Sequence, residues 1–167
     1  MVSTDASNLF VSVIESHKGI LFKIANAYCR DPENRNDLIQ EIILQLWKSF
    51  ENYSHQYKYS TWIYRIALNV AISFYRFEKR RNHLKIPISD VITDLADSTI
   101  KGEKEEKLEL LQVFISELKE MDKALILLYL DEKSHKEIAE ITGISETNVA
   151  TKIGRIKILL KQKFLTR

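Results

Sequence analysis

The chain has 167 residues, of which 45% are hydrophobic and 29% charged, with a formal net charge of +2, four Gly and two Pro. So few turn residues exclude an all-β sandwich or barrel, and no Gly-rich strand-to-helix turn is present to build a doubly wound α/β sheet. One cysteine, Cys29, excludes an internal disulfide framework and a Cys-based zinc site; the apolar runs fall far short of the ~20 residues of a membrane span, and the N-terminus shows no secretion signal. These observations predict an all-α protein of a reducing compartment.

Charge is unevenly placed. Residues 1–60 are net −1, residues 61–85 net +5, residues 86–109 net −4 and residues 110–167 net +2, and within the last block 144–167 alone is net +5. Two cationic segments flank an acidic one. That pattern fits a polyanion contacted at two places, or two solvated helix faces.

In chain order, residues 8–29 carry Leu9, Val13, Ile14, Leu21, Ile24, Ala25 and Tyr28 at helical spacing, which predicts one or two helices ending before Asp31-Pro32. Residues 35–50 show a 3.6-residue stripe through Leu38, Ile39, Ile42, Ile43, Leu46, Trp47 and Phe50. Residues 51–60 have no period and read as a loop. Residues 61–81 are again helical, 84–107 read as a linker, and helices follow near 103–120, 122–131, 134–142 and 145–163. The organisation predicted is two small helical domains, 1–83 and 108–167, joined by a flexible acidic linker.

On a helical wheel of roughly 100° per residue, Arg65, Asn69, Ser73, Arg76 and Arg80 share one arc with Trp62, and Tyr75 and Lys79 flank it. Ile63, Ile66, Ala67, Val70, Phe74 and Phe77 are expected in the core, and Ile72 interrupts the polar stripe. Guanidinium groups for phosphates, an amide for a base edge and an indole for stacking suit separated DNA strands. An exposed base stacked on an aromatic ring is worth about 1–3 kcal/mol. Tyr53, Tyr57, Tyr59, Tyr64 and Tyr75 gather in and just after the loop, which strengthens that reading.

Ser134-His135-Lys136-Glu137 has the form of a capping box, so a helix is expected to start there. Ala139, Gly143 and Val149 have the spacing of a helix-turn-helix: a small residue at the helix approach, a Gly in the turn and a β-branched core residue. In the second helix Val149, Ile153, Ile156 and Leu160 form one face. Thr147, Ala150, Thr151, Gly154 and Arg155 look outward, with Asn148 and Lys152 on one flank and Lys157 on the other. Small, polar and basic residues are what a helix in the major groove requires.

Three segments together, NDLIQEIILQLWKSF at 36–50, YSTWIYRIALNVAISFYRFEKRR at 59–81 and SHKEIAEITGISETNVATKIGRIKILL at 134–160, resemble bacterial RNA polymerase sigma factors of the extracytoplasmic-function (ECF) group. The resemblance implies a cytoplasmic subunit that binds core RNA polymerase and directs promoter recognition, DNA opening and initiation, with no catalytic residues, metal or cofactor of its own. It implies that Asp37, Gln40, Glu41, Leu44 and Trp47 dock on the clamp helices of the largest polymerase subunit, with a further contact to the flap. Trp62, Arg65, Asn69, Tyr75, Arg76, Lys79 and Arg80 would meet the −10 element, Asn69 reading a flipped base. Trp62 serves either as a stacking wedge or as domain core. Thr147, Asn148, Ala150, Thr151, Lys152, Arg155 and Lys157 would read the −35 element. An anti-sigma partner is common in the family.

Two departures bear on specificity: the family often has Arg at the positions of Ala150 and Lys152. A bidentate guanine contact, worth about 1–3 kcal/mol, is missing at Ala150. The acidic residues of the linker, Asp90, Asp94, Asp97, Glu103, Glu105 and Glu106, either mimic nucleic acid in a basic channel or belong to a plain tether. His17, His55, His83 and His135 have no metal-ligand spacing, and no P-loop or nucleophile elbow occurs. The competing readings are a stand-alone helix-turn-helix regulator, which needs no Trp/Tyr-rich −10 helix, and a scaffold whose charged helices bind other proteins.

Overall fold

The computed structural model describes residues 3–83 and 102–166, and the greater part of the segment read as a linker, 84–101 with Asp90, Asp94 and Asp97, lies outside them. Among the described residues there are seven helices and no strand: α1 (Thr4–Tyr28), α2 (Pro32–Phe50), α3 (Tyr59–His83), α4 (Glu103–Ser116), α5 (Glu120–Leu130), α6 (His135–Thr142) and α7 (Glu146–Leu165). The first apolar stripe is thus one helix, and Glu103, Glu105 and Glu106 of the expected linker form the first turn of α4. Carboxylates belong there, because the helix dipole is positive at that end.

Local chemistry sets the boundaries. Ser3 caps α1 by accepting from the Ala6 amide at 3.3 Å. After α1, Cys29 turns extended, Asp31 accepts from the Asn34 amide at 3.2 Å, and Pro32 occupies the first turn of α2, where its missing N–H costs nothing. Arg35 ties this corner by donating Nε to the Cys29 carbonyl at 2.9 Å and Nη2 to the Arg30 carbonyl at 2.6 Å.

Helices α1–α3 pack on each other around Leu21, Ile24, Leu38, Ile42, Leu46, Ile63, Ala67 and Ala71, all buried. Each large aliphatic side chain removed from water contributes about 1.5–3 kcal/mol. Helices α4–α7 enclose Phe114, Leu118, Leu125, Leu128, Ile138, Val149, Ile153 and Ile156. The two groups also pack against one another, α3 lying on α5 and α6, and α1 on α4.

The helix-turn-helix forms as its sequence dictates. Ser134 Oγ accepts from the Glu137 amide at 3.1 Å while Glu137 Oε2 accepts from the Ser134 amide at 2.9 Å. Gly143 closes α6 in the left-handed region at φ 78, a conformation glycine adopts without strain, and donates its amide to the Ala139 carbonyl at 2.9 Å. Ser145 then caps α7 on the Asn148 amide at 3.2 Å, and Val149 is fully buried against α6.

One core expectation fails. Phe77 is 61% exposed. It stands on the border of the apolar arc of α3, over a groove shared with Glu41 and Gln45, rather than under α1. The residue expected to break the polar stripe, Ile72, is buried.

Ser134→Ala removes the reciprocal cap of α6. It is expected to destabilise the protein by about 1 kcal/mol, lowering Tm by roughly 2–4 °C in circular-dichroism melts. An unchanged Tm would show that the cap is not needed to hold α6 in place.

Candidate nucleic-acid interface

The loop from Asn52 to Lys58 folds back on the start of α3. Tyr53 stacks on Tyr59 with ring centroids 4.6 Å apart and 21° between planes, and its hydroxyl donates to the Tyr57 carbonyl. Trp62 packs against Phe50, Tyr53 and Tyr59 and is only half-buried, so one side is core and the other remains accessible. The Arg65 guanidinium lies over the Tyr57 ring, 5.4 Å from its centroid, a cation–π contact that holds it in place. Between these groups is a cavity of about 340 Å³ lined by Asn52, Tyr53, Tyr57, Trp62, Arg65 and Asn69 among others. Aromatic faces, an amide and a guanidinium converge there.

The structure divides the seven −10 candidates. Trp62, Arg65 and Asn69 meet at this cavity. Tyr75, Arg76 and Lys79 lie further along α3, on the side turned to α4 and α5. Tyr75 is half-buried against Tyr28, Arg76 and Lys79 are exposed at the edge of that contact, and Arg80 is exposed. Tyr53 and Tyr57 of the tyrosine-rich loop also belong to the cavity, although the family resemblance assigns them no −10 contact. Their signal was the cluster of tyrosines in an aperiodic loop.

On α7, Thr147, Asn148, Ala150, Thr151, Arg155 and Lys157 are exposed and Lys152 is half-buried. Thr151 Oγ1 donates to the Thr147 carbonyl at 3.0 Å, and Lys157 Nζ sits 5.0 Å over the Tyr129 ring. The centre of this face is small and flat, at Ala150 and Gly154, with cations along its rim.

The docking candidates on α2 also divide. Gln40, Leu44 and Trp47 line an apolar groove between α1 and α2 with Phe10, Val11 and Ile43, where Trp47 meets Phe10 edge-on at 4.9 Å. Glu41 lies on the opposite edge of α2, accepting from Gln45 Nε2 at 2.7 Å, in the groove that contains Asn69 and Phe77. Asp37 is exposed one turn before them. Among the described residues no group of three His, Cys, Asp or Glu could hold a metal ion, and no helix is long and apolar enough to cross a membrane.

Several polar contacts span the two helical groups. Tyr64 Oη donates to Asp131 Oδ2 at 2.5 Å, and Lys23 pairs with the other Asp131 oxygen. Burial alone would raise the Asp131 carboxyl, but those two donors hold it below the ordinary aspartate range. Burial, then the bond to Asp131, pushes the Tyr64 phenol far up, so it stays a neutral donor. Tyr28 Oη donates to the Glu120 carbonyl at 2.7 Å, Arg30 Nη2 donates to Ser116 Oγ at 2.8 Å, and Arg76 Nε lies 3.5 Å from Glu120 Oε1. Lys123, 1% exposed, places its ammonium 5.0 Å from the Tyr28 ring centroid and 4.8 Å from that of Tyr75.

A surface cavity walled by aromatic rings and a helix-turn-helix, each bordered by cations, give this helical protein two surfaces suited to nucleic acid. Residues 13–81 match the family model for sigma-70 region 2, and residues 108–160 match that for sigma-70 region 4. The chain is 27% identical over 155 residues to the RNA polymerase sigma factor SigV of Bacillus subtilis, spanning 92% of this chain and 89% of that protein. It is 26% identical over 164 residues to the ECF RNA polymerase sigma factor SigW of the same organism, spanning 92% and 88%. Among solved structures, CnrH in complex with the cytosolic domain of CnrY superposes with a TM-score of 0.69 at 18% identity, over 96% of this chain and 90% of that one. RpoE of Bartonella quintana, in complex with the anti-sigma factor NepR, gives 0.66 at 16% identity over 96% of each. The chain belongs to the sigma-70 family, in its ECF group, and is a sigma factor that directs promoter recognition.

Cys29 lies in this region of contact and is buried. Burial chiefly, with a smaller push from Glu78, raises its thiol to about 11 against a reference of 9.0. Near pH 8 that leaves about 100-fold less thiolate, and thiolate is the reacting form. Maleimide labelling of the native chain is therefore expected to run about 100-fold slower than in denaturant, as followed by mass spectrometry. Equal rates would show Cys29 to be open.

Proposed function

We propose that this sigma factor divides its work among three surfaces. The cavity at Tyr53, Tyr57, Trp62, Arg65 and Asn69 captures an unpaired base of the −10 element, the face of α7 reads the −35 duplex, and the apolar groove of α1 and α2 docks on the polymerase clamp helices. One observation supports this most: the cavity presents aromatic planes, the Asn69 amide and the Arg65 guanidinium together at the surface. Stacking is available to any unpaired base, whereas the amide discriminates among base edges. Such a pocket does not accept a paired base, so binding favours the melted state.

On α7 the two small residues let the helix backbone approach the groove closely, while Arg155 and Lys157 supply phosphate contacts at the edge. The docking groove is apolar at Leu44, Val11 and Trp47 and carries Asp37 and Gln40 on its margin, a mixture suited to a charged coiled coil. The subunit lends recognition to an enzyme made by others and acts in the cytoplasm with it.

The reading is tested by mixing the purified chain with core RNA polymerase and a promoter library and sequencing the transcripts. Core-dependent initiation at a shared −10/−35 pair is expected; DNA binding that is equally tight without polymerase would instead identify a stand-alone regulator.

Two substitutions separate the surfaces. Asn69→Ala is expected to cut promoter opening about ten- to a hundredfold, an effect of about 1–3 kcal/mol, while polymerase affinity stays within twofold. Leu44→Glu, at a position already 44% exposed and so neutral for folding, is expected to weaken polymerase binding at least tenfold. Loss of both activities together in either variant would remove the division of labour.

A further inference from the structure

We propose that the cavity where the two helical groups meet is a binding site for a small organic phosphate, its phosphate held by Lys123, Arg30 and Lys79 and its organic part lying against Phe74 and Tyr75. The cavity measures about 630 Å³, and its walls come from α1 to α5. Ligand sites typically enclose about 300–1,000 Å³. It stands apart from the three surfaces assigned above to DNA and polymerase, and does not depend on them.

Lys123 is the observation that carries the proposal. It is 1% exposed, yet among the described residues its ammonium has neither a hydrogen-bond acceptor nor a carboxylate within ion-pair distance. Burying a charge is costly unless it is paired. The rings of Tyr28 and Tyr75, with centroids 5.0 Å and 4.8 Å away, offset part of that cost but offer no strong acceptor. Among the described residues no fully enclosed side-chain nitrogen or oxygen lacks a partner, so this unbonded ammonium is the part of Lys123 that reaches the cavity. Burial, then the charge of Arg30, draws it below the usual lysine range. Glu120 opposes that shift from a distance, but its carboxylate lies against Arg76 at 3.5 Å.

The rest of the lining points to the class of ligand. Arg30, Lys79 and Lys123 face the cavity with two carboxylates, Asp31 and Glu78, and both carboxylates have other partners. Asp31 caps α2 on the Asn34 amide at 3.2 Å, and Glu78 lies 3.7 Å from Arg81. Arg30 gives Nη2 to Ser116 Oγ at 2.8 Å and has further N–H donors for a ligand. A guanidinium fork beside two ammonium groups matches the charge and the several acceptor oxygens of a phosphate. Phosphate alone fills only a small part of the volume, and the half-buried rings of Phe74 and Tyr75 offer the remainder an aromatic wall. A nucleic-acid strand is a poor fit, because the Lys123 ammonium lies below the surface, out of reach of a phosphate flanked by sugars on both sides.

The test titrates the full chain with AMP and with inorganic phosphate by calorimetry, adenosine serving as the uncharged control. One saturable site for AMP is expected, with weaker binding of inorganic phosphate and none of adenosine. AMP at a hundredfold excess over its Kd is expected to raise Tm by about 5–10 °C. Lys123→Met keeps the volume and removes the buried charge. It is expected to melt no lower than the wild type and to lose roughly 10- to 100-fold in AMP affinity. Arg30→Gln, at an exposed position, is expected to lose about tenfold without disturbing the packing around Lys123. Absence of a saturable AMP site in the wild type overturns the proposal. So does full AMP affinity in Lys123→Met, or in Arg30→Gln should the first variant not fold. Adenosine bound as tightly as AMP overturns the phosphate assignment. A single-stranded −10 oligonucleotide that loses as much affinity as AMP in Lys123→Met would give the cavity to nucleic acid, and that too overturns the proposal.

Discussion

Helix α3 turns a different side to each of three environments, and the other six helices are arranged around that division. Ile63, Ala67 and Ala71 face α1 and α2 and are completely buried. Arg65, Asn69 and Ser73 face solvent beside the tyrosine loop. Tyr64, Leu68, Ile72 and Tyr75 form the stripe along which α5 and α6 lie. An amphipathic helix ordinarily needs only an inside and an outside. With three sides in use, each residue of α3 is held to one chemistry, and the small residues Ala67 and Ala71 are needed where α1 and α2 both approach.

The junction between the helical groups is unlike either core. The cores are mainly apolar, aliphatic side chains with a few aromatic rings such as Phe10 and Phe114. At the junction, phenols, carboxylates and ammonium groups must find named partners. Tyr64 and Tyr28 each give their hydroxyl to an oxygen of the opposite group, and Lys123 rests between two rings. Burial, with Arg30 nearby, draws the Lys123 ammonium below the usual lysine range, so the rings and the Glu120 carboxylate carry its charge. Hydrogen bonds of this sort fix orientation more than they add free energy, since each replaces a bond to water.

What could be read from the amino acids follows the range over which each interaction acts. Helices and caps are local, so the 3.6-residue stripes, Asp31-Pro32, the Ser134/Glu137 box and Gly143 gave six of the seven helix starts or ends nearly to the residue. The outward set on α7 was legible for the same reason. Phe77 was not, because a wheel reports only which residues share a side, and not how far along the helix a neighbour extends. Glu41 was grouped with Leu44 and Trp47 although it sits across α2 from them. The junction left no trace in periodicity: its partners are 67, 92 and 108 positions apart, and Ile72 was noticed merely as an interruption.

The pairing of Arg76 with Glu120 has a consequence for how the molecule answers to its ionic surroundings. Dissolved ions weaken that single intramolecular pair only modestly. They weaken a phosphate-bound surface far more steeply, because every phosphate neutralised by protein sheds condensed counterions and the losses multiply. As ionic strength climbs, contacts to nucleic acid are therefore lost well before the Arg76–Glu120 pair.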